Sequence, residues 1–394
     1  MQLTEKLFLA FSLIGLAGCG AATDNETTRS GLKRADFQTV VNGDSTDLYT
    51  LIGPTGMEVC ITNYGGRVVS ILVPDTAGKF RDVVLGYDHI YAYTVQPSSF
   101  GAVIGRFANR IAYGRFVLDG DTVQLDQNSG EHTIHGGSQG WRQQVWDAVQ
   151  FDDSTLVLRY HSPDGESGFP GAVDTEITYR VTGQQELIIT YTAQASERTV
   201  INLTNHSFFN LSGNPERTVL SDILYVNADR YTPLDSTLIT TGALLPVTGT
   251  PFDFTSPASI SENIARDSTH TQLKRAGGID HNLVLNTAGD LRQLAARLYS
   301  PASGIALEVY TDEPGLQVYT GNMLDGSQTG KGGKVFARHG AICLETQHFP
   351  DSPNKPDWPS TILEPGQEYR STCIYRFTTG FRNLRALESA TLEM

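Results

Sequence analysis

A chain of 394 residues with 18% charged side chains and a net charge of −14 has the makings of a globular protein, not a polyanion binder. Neutralising phosphates needs clustered Lys and Arg, so nucleic acid is excluded as a partner and a neutral small molecule fits better. The 39 glycines, 17 prolines, 16 tyrosines and 17 phenylalanines, without long Ala/Leu/Lys/Glu tracts, predict many short strands joined by turns.

Residues 1–19 read as a lipoprotein-type signal peptide. A polar start from Met1 to Lys6 leads into an apolar run, Leu7 to Gly18, that is too short to span a bilayer. The run ends in Leu16-Ala17-Gly18-Cys19, which resembles the lipobox of bacterial lipoproteins, so Cys19 is the expected lipidation site. The alternative is an ordinary secretory signal with a chance cysteine. Residues 20–35 are then a flexible tether and 36–394 a single exported domain, periplasmic or at the cell surface. Its only tie to the membrane is the lipid. The other cysteines, Cys60, Cys343 and Cys373, form no CxxC pair or zinc spacing and are expected to be buried strand residues.

Further along, Glu58 to Tyr64 predicts a strand that turns at Gly65-Gly66 into a second strand, Arg67 to Val73. Tyr87 to Tyr93 reads as an aromatic surface segment. Glu176 to Ala193 is the clearest hairpin: Ile177, Tyr179 and Val181 alternate, the chain turns at Gly183 to Glu186, and Leu187, Ile189, Tyr191 and Ala193 alternate back. Ser261 is a candidate cap for a short helix ending at Arg266. Leu291, Leu294 and Leu298 fit a helical period, yet the Pro301–Gly304 turn and the apolar run Ile305–Tyr310 favour a hairpin. With no repeat and no linker after Ser30, the expected fold is mainly β, one large antiparallel β-sandwich with few short helices.

Thr204-Asn205-His206-Ser207-Phe208-Phe209-Asn210-Leu211 is the most informative stretch. As a strand it places His206 and Phe208 on one side and Ser207 and Phe209 on the other, presenting a proton donor while its neighbours bury. Taken alone, His206 is as well explained as a core histidine bonded to Asn205 or Asn210. Three glycosylation-type sequons begin at Asn202, Asn205 and Asn210 and are read as incidental. Gly326 to Gly332 mimics a phosphate loop but is one residue short between its glycines and lacks Ser or Thr after Lys331. His135, His206, His281 and His348 lack metal-ligand spacing, so neither a metal nor any other cofactor is expected.

What remains is a series of polar clusters in apolar settings: Asn109-Arg110, His132 to Gly137, Asn205-His206, Gly278 to Asn282, Pro314 to Asn322 and Glu345 to Asp351. Arg, His, Asn, Gln and Asp grip sugar hydroxyls, and aromatic neighbours pack on sugar C–H faces. With Asn63 to Gly66, Gly105 to Ile111, Ser162 to Gly171 and Gly249 to Phe254, these clusters resemble, in order, the aldose 1-epimerase (galactose mutarotase) family. The likeness runs from about residue 36 to 380. It implies a β-supersandwich with an open cleft, Glu345 as general base and His206 as general acid. It also implies His135 as a second active-site histidine, and Asn109, Arg110, Asp280 and Gln317 as hydroxyl-binding groups. Ile134 replaces the usual Leu before that histidine, and a lipobox is less usual for the family.

The implied reaction interconverts the α and β anomers of free aldohexoses of glucose or galactose type. A base takes the O1 proton, an acid protonates ring O5, C1–C2 rotates and the ring recloses, with no cofactor needed. Three other readings stay open. One is an exported glycoside hydrolase, which needs two carboxylates across the bond, with Asp280 and Glu345 as the nearest pair. Another is a sugar-binding protein without turnover. The last is a hexose-phosphate epimerase, for which Arg106 and Arg110 are the phosphate candidates.

Overall fold

Along Val173–Val181 the residues at 173, 175, 177, 179 and 181 are buried and those between them are partly or fully exposed, the mark of a strand with one face in a core. The computed structural model describes residues 27–96 and 98–380. It pairs this strand with Glu186–Ala195 as the expected hairpin, Val181 opposite Leu187. The two strands belong to a nine-stranded antiparallel sheet. Its order is Asp147–Asp152, Thr155–Ser162, Val173–Val181, Glu186–Ala195, Glu368–Thr379, Ile305–Thr311, Ala296–Ser300, Ile223–Val226 and Ala258–Ser259. The 296–311 segment is thus the expected hairpin.

Two smaller antiparallel sheets and five two-stranded ones complete the architecture among the described residues. One has four strands, Leu48–Ile52, Glu58–Thr62, Arg67–Pro74 and Phe80–Asp82, with Gly65 and Gly66 turning the chain as read from the sequence. The other has five, in the order Leu245–Pro246, Ala228–Tyr231, Asp280–Leu285, Gly315–Tyr319 and Cys343–Gln347. A single apolar core joins all three, with Ile71, Ile189, Leu316, Leu344 and Tyr375 among its members. Between the large sheet and the five-stranded one, the Tyr375 hydroxyl donates to the Leu344 carbonyl at 2.8 Å. This is the antiparallel sandwich expected from the sequence.

Three short α-helices occur among the described residues: Ile90–Val95, Ile260–Arg266 and Thr271–Ala276. None is long and apolar enough to cross a membrane. The cap of the second is Ser259, two residues before the expected Ser261. Cys60, Cys343 and Cys373 are free and buried, as expected.

Two expectations need correction. The segment Tyr87 to Tyr93 is only partly a surface segment: Tyr91 is 67% exposed, but Tyr87 and Tyr93 are 1% and 2% exposed. Their rings meet edge-on at 4.9 Å, and the Tyr93 hydroxyl accepts the Tyr87 N–H at 2.9 Å, so both rings bury area while that hydroxyl keeps a partner. The tether expected over residues 20–35 is, from Thr27 on, part of the folded body. The N–H groups of Arg29 and Ser30 each donate to the Glu58 carboxylate at 3.0 Å, and Leu32 is buried. Cys19, the signal peptide and residues 381–394 lie outside the described residues.

Candidate active site

His206 ends the short strand Thr204–His206, which pairs with Ala102–Ile104 so that His206 lies opposite Ala102. The expected alternation is present. His206 and Phe208 share a side, their rings stacked at 4.9 Å and 11°, while Phe209 enters the core 5.0 Å from Tyr375. The sequon asparagines act as braces. Asn205 donates to the Gly101 carbonyl at 2.8 Å, Asn210 to Gly340 at 2.7 Å and Asn202 to His348 at 3.1 Å.

Glu345 sits mid-strand in Cys343–Gln347, at one end of the five-stranded sheet, opposite Gln317. It is only 2% exposed, and its Oε2 lies 3.7 Å from His206 Nε2 with no hydrogen-bond partner of its own. Two strands over, beyond the strand of Gln317, Asp280 accepts from Gln317 Nε2 at 2.6 Å.

A third wall comes from Arg110–Ile111, paired with Thr133–Ile134. The Asn109 N–H donates to His135 Nδ1 at 3.2 Å, and the His135 N–H returns a bond to the Asn109 carbonyl at 3.1 Å. Because Nδ1 accepts, a neutral His135 carries its proton on Nε2 and is a donor there. The His135 and His206 rings stand 5.2 Å apart. Gly136 follows at φ +79°, and a Cβ there would meet the Gly105 carbonyl oxygen at 1.9 Å, so the His-Gly-Gly turn tolerates no side chain at that position.

These walls enclose a cavity of about 290 Å³ lined by Asn109, Arg110, His135, His206, Asp280 and Glu345. Of the sequence-derived site residues, Gln317 alone is displaced. It stands against Asp280 with its Oε1 unpartnered and does not line the cavity; its register partners are Asn282 and Glu345. Arg106 is also absent from the cavity. It is 1% exposed and donates to the carbonyls of Pro170 (2.9 Å) and Gly171 (2.7 Å) and to Ser162 Oγ (2.5 Å). That leaves Arg110 without the second cation a phosphate clamp was expected to use.

Sequence reasoning overlooked Phe100, Tyr319, Met323 and Gln328 on the cavity wall. Tyr319 was within reach, being two residues from Gln317 on the same strand face. A larger groove of about 400 Å³ on the nine-stranded sheet is lined by exposed pairs such as Arg159–Glu176 and His161–Asp174, with no buried acid–base pair.

Residues 47–376 match the sequence profile of the family described as aldose 1-epimerase. The chain belongs to the aldose 1-epimerase family. It is 41% identical to galactose mutarotase of Rattus norvegicus over 322 residues, 82% of this chain and 91% of that one. Against aldose 1-epimerase of Escherichia coli K12 the figure is 36% over 338 residues, 85% and 96% of the two chains. A solved structure of an aldose epimerase homologue from C. elegans superposes with a TM-score of 0.79 at 28% identity, covering 85% of this chain and 99% of that one.

An aldose 1-epimerase must move protons in and out of a sugar, so the ionisation of these buried groups matters. Burial, then the charges of Arg142 and Arg67, pulls His206 down to about 3. Burial, then His206 and Arg142, holds His135 well below the usual imidazole range. Burial, then the Asp280 carboxylate, pushes Glu345 well above the usual carboxylate range. Burial also raises Asp280, opposed by Arg110 and the Gln317 bond. Burial thus favours the neutral form of both partners, a carboxylic acid at Glu345 beside an uncharged imidazole at His206.

The four histidines weighed as a metal set do not converge. His281 Nε2 meets Gln272 at 3.1 Å, and His348 pairs with Glu313 at 2.6 Å. A different trio does converge: one ligand atom each from His206, Cys343 and Glu345, all within 4.8 Å of one another.

Proposed function

We propose that the protein interconverts the α and β anomers of free aldohexoses of the glucose and galactose type, with Glu345 and His206 as its proton-transfer pair. The observation that carries the assignment is the 3.7 Å approach of His206 Nε2 to Glu345 Oε2, both buried and both on the wall of one cavity. With the mobile proton on His206, Glu345 takes the O1 proton while His206 delivers one to ring O5. Opening then leaves the proton on Glu345 and His206 neutral, the state burial favours. After C1–C2 rotation, the same transfers in reverse close the ring on the other face.

The sugar's other hydroxyls are held by Asn109, Arg110, Asp280 and the Nε2–H of His135. Gln317 acts through Asp280 by holding one of its oxygens. Arg110 opposes negative charge that develops on sugar oxygen. Every step is a proton transfer between this chain and the sugar, so exhaustive chelation is expected to leave the rate unchanged.

Polarimetry of freshly dissolved α-glucose and α-galactose tests the assignment. The protein should speed the approach to equilibrium rotation above the spontaneous rate. Release of reducing ends from a glycoside panel, or sugar binding with no change in that rate, would refute it. At the N-terminus, Leu16-Ala17-Gly18-Cys19 supports lipidation at Cys19 and an exported, membrane-anchored protein.

A further inference from the structure

Cys343 and Glu345 are two residues apart on one strand, so their side chains leave it on the same face. His206 faces them from the neighbouring strand Thr204–His206, and the three contribute a ring nitrogen, a sulfur and a carboxylate oxygen within 4.8 Å of one another. Bonds of about 2.0 to 2.3 Å to N, O and S at tetrahedral angles put ligand atoms roughly 3.3 to 3.8 Å apart. His206 Nε2 and Glu345 Oε2 are already at 3.7 Å, so only the sulfur has to close in. Glu345 Oε2 is buried and has no hydrogen-bond partner, so its acceptor capacity is unused.

We propose that His206, Cys343 and Glu345 form a binding site for a thiophilic divalent cation, zinc or cadmium, and that the bound ion switches the enzyme off. The donor set is one soft sulfur, one imidazole and one carboxylate, which suits zinc and its heavier congener better than magnesium or calcium. Asp280, the other carboxylate on the cavity wall, adds to the field that favours a dication. The ion enters through the cavity, meeting Glu345 and His206 first, because Cys343 has no exposed surface.

On binding, the Cys343 S–H bond and the Glu345 O–H bond break, both protons go to solvent, and the sulfur, the carboxylate oxygen and the His206 nitrogen bond the metal, with no change of oxidation state. The fourth position faces the cavity and takes water. The lone pairs of Glu345 and His206 that would receive sugar protons are then held by the ion. Inhibition therefore rests on the proposed roles of Glu345 and His206, whereas binding does not.

The test titrates the full chain with cadmium while following ultraviolet sulfur-to-metal charge-transfer absorption. Mutarotation is assayed in parallel. A band that grows as activity falls, is reversed by chelator and is lost in Cys343→Ser but kept in Cys60→Ser and Cys373→Ser is the expected result. Inhibition should weaken in Cys343→Ser by on the order of tenfold or more.

Glu345→Gln keeps the thiol and loses the carboxylate, so its cadmium affinity should also fall, and this arm stands even if Cys343→Ser fails to fold. An undiminished band in Cys343→Ser, equal inhibition of wild type and Cys343→Ser, or undiminished affinity in Glu345→Gln overturns the site. Cysteine-dependent cadmium binding by a protein that turns over no aldose would leave the site standing and sink the mutarotation reading instead.

Discussion

Replacing Glu345 by Gln should cost activity and add stability. The substitution keeps the size and one carbonyl oxygen but removes the proton acceptor. Losing a positioned general base costs about 10²- to 10⁴-fold in rate, roughly 3 to 5 kcal/mol of barrier. The loss should fall on kcat more than KM, because Asn109, Arg110 and Asp280 still hold the sugar.

The stability change has the opposite sign. Glu345 has a folded pKa well above its unfolded value of 4.5, so above pH 4.5 folding must either take up a proton or bury a charge. Wild-type stability is therefore eroded as pH rises from 4.5 toward the folded value. At about 1.36 kcal/mol per pH unit, that penalty can reach at most ~3.4 kcal/mol at pH 7. Gln escapes it. With an unfolding entropy of about 2.1 cal/mol/K per residue, the full amount is a rise of ~4 °C in Tm at pH 7, vanishing below pH 4. Polarimetry with the spontaneous rate subtracted, and thermal melts at both pH values, measure the two effects. A folded Glu345→Gln enzyme within about threefold of wild type, a gap under ~1 kcal/mol, would refute the catalytic role. A variant less stable than wild type at pH 7 would refute the electrostatic argument.

The pH profile of kcat/KM should be flat while the Glu345–His206 pair holds its single proton and fall on the alkaline side as Glu345 loses it. On the acid side it should fall only well below the ordinary imidazole value, because His206 is drawn down to about 3; an acid limb centred near 6.5 would refute this. Gln317→Met removes the donor that holds Asp280 at 2.6 Å and should raise KM by about tenfold or more while leaving kcat comparatively unchanged. Steady-state kinetics that show KM unmoved and kcat reduced would instead make Gln317 part of the chemistry. Cys19→Ser should move the protein from the membrane to the soluble fraction with its activity intact, and mass spectrometry of the wild-type N-terminus should find a lipidated Cys19.

The hairpin Val173–Val181 with Glu186–Ala195 was legible because each strand is buried on one face, so burial shows as strict alternation in the residues themselves. The same logic placed His206 beside Phe208. It failed at Tyr87 and Tyr93, since two aromatic rings can bury without any period to announce it. Asn109, Arg110, His135, His206, Asp280 and Glu345 were readable as polar groups in apolar settings, and the cavity collects all six. Gln317 and Arg106 share that local signature. What separates them from the others is partners far along the chain, Asp280 for one and Pro170, Gly171 and Ser162 for the other, and no local pattern encodes those. Cys343 was read correctly as buried, but that it faces His206 depends on two strands lying side by side.

The three sequons have a consequence for how the protein can be made. Asn202, Asn205 and Asn210 are 0%, 1% and 2% exposed in the folded chain, and each amide holds a backbone carbonyl. A glycan is bulky and polar, so none of the three can carry one in the native state. In a eukaryotic secretory pathway, sugar transfer meets the chain before these strands close. A modified asparagine would then be locked out of the braces around His206, and folding would stall. Expression in a compartment without glycosylation machinery avoids that competition, whereas replacing Ser207 or Ser212 to remove an acceptor motif would also remove the hydroxyl that donates to Asn205 or Asn210 Oδ1, at 2.6 and 2.5 Å.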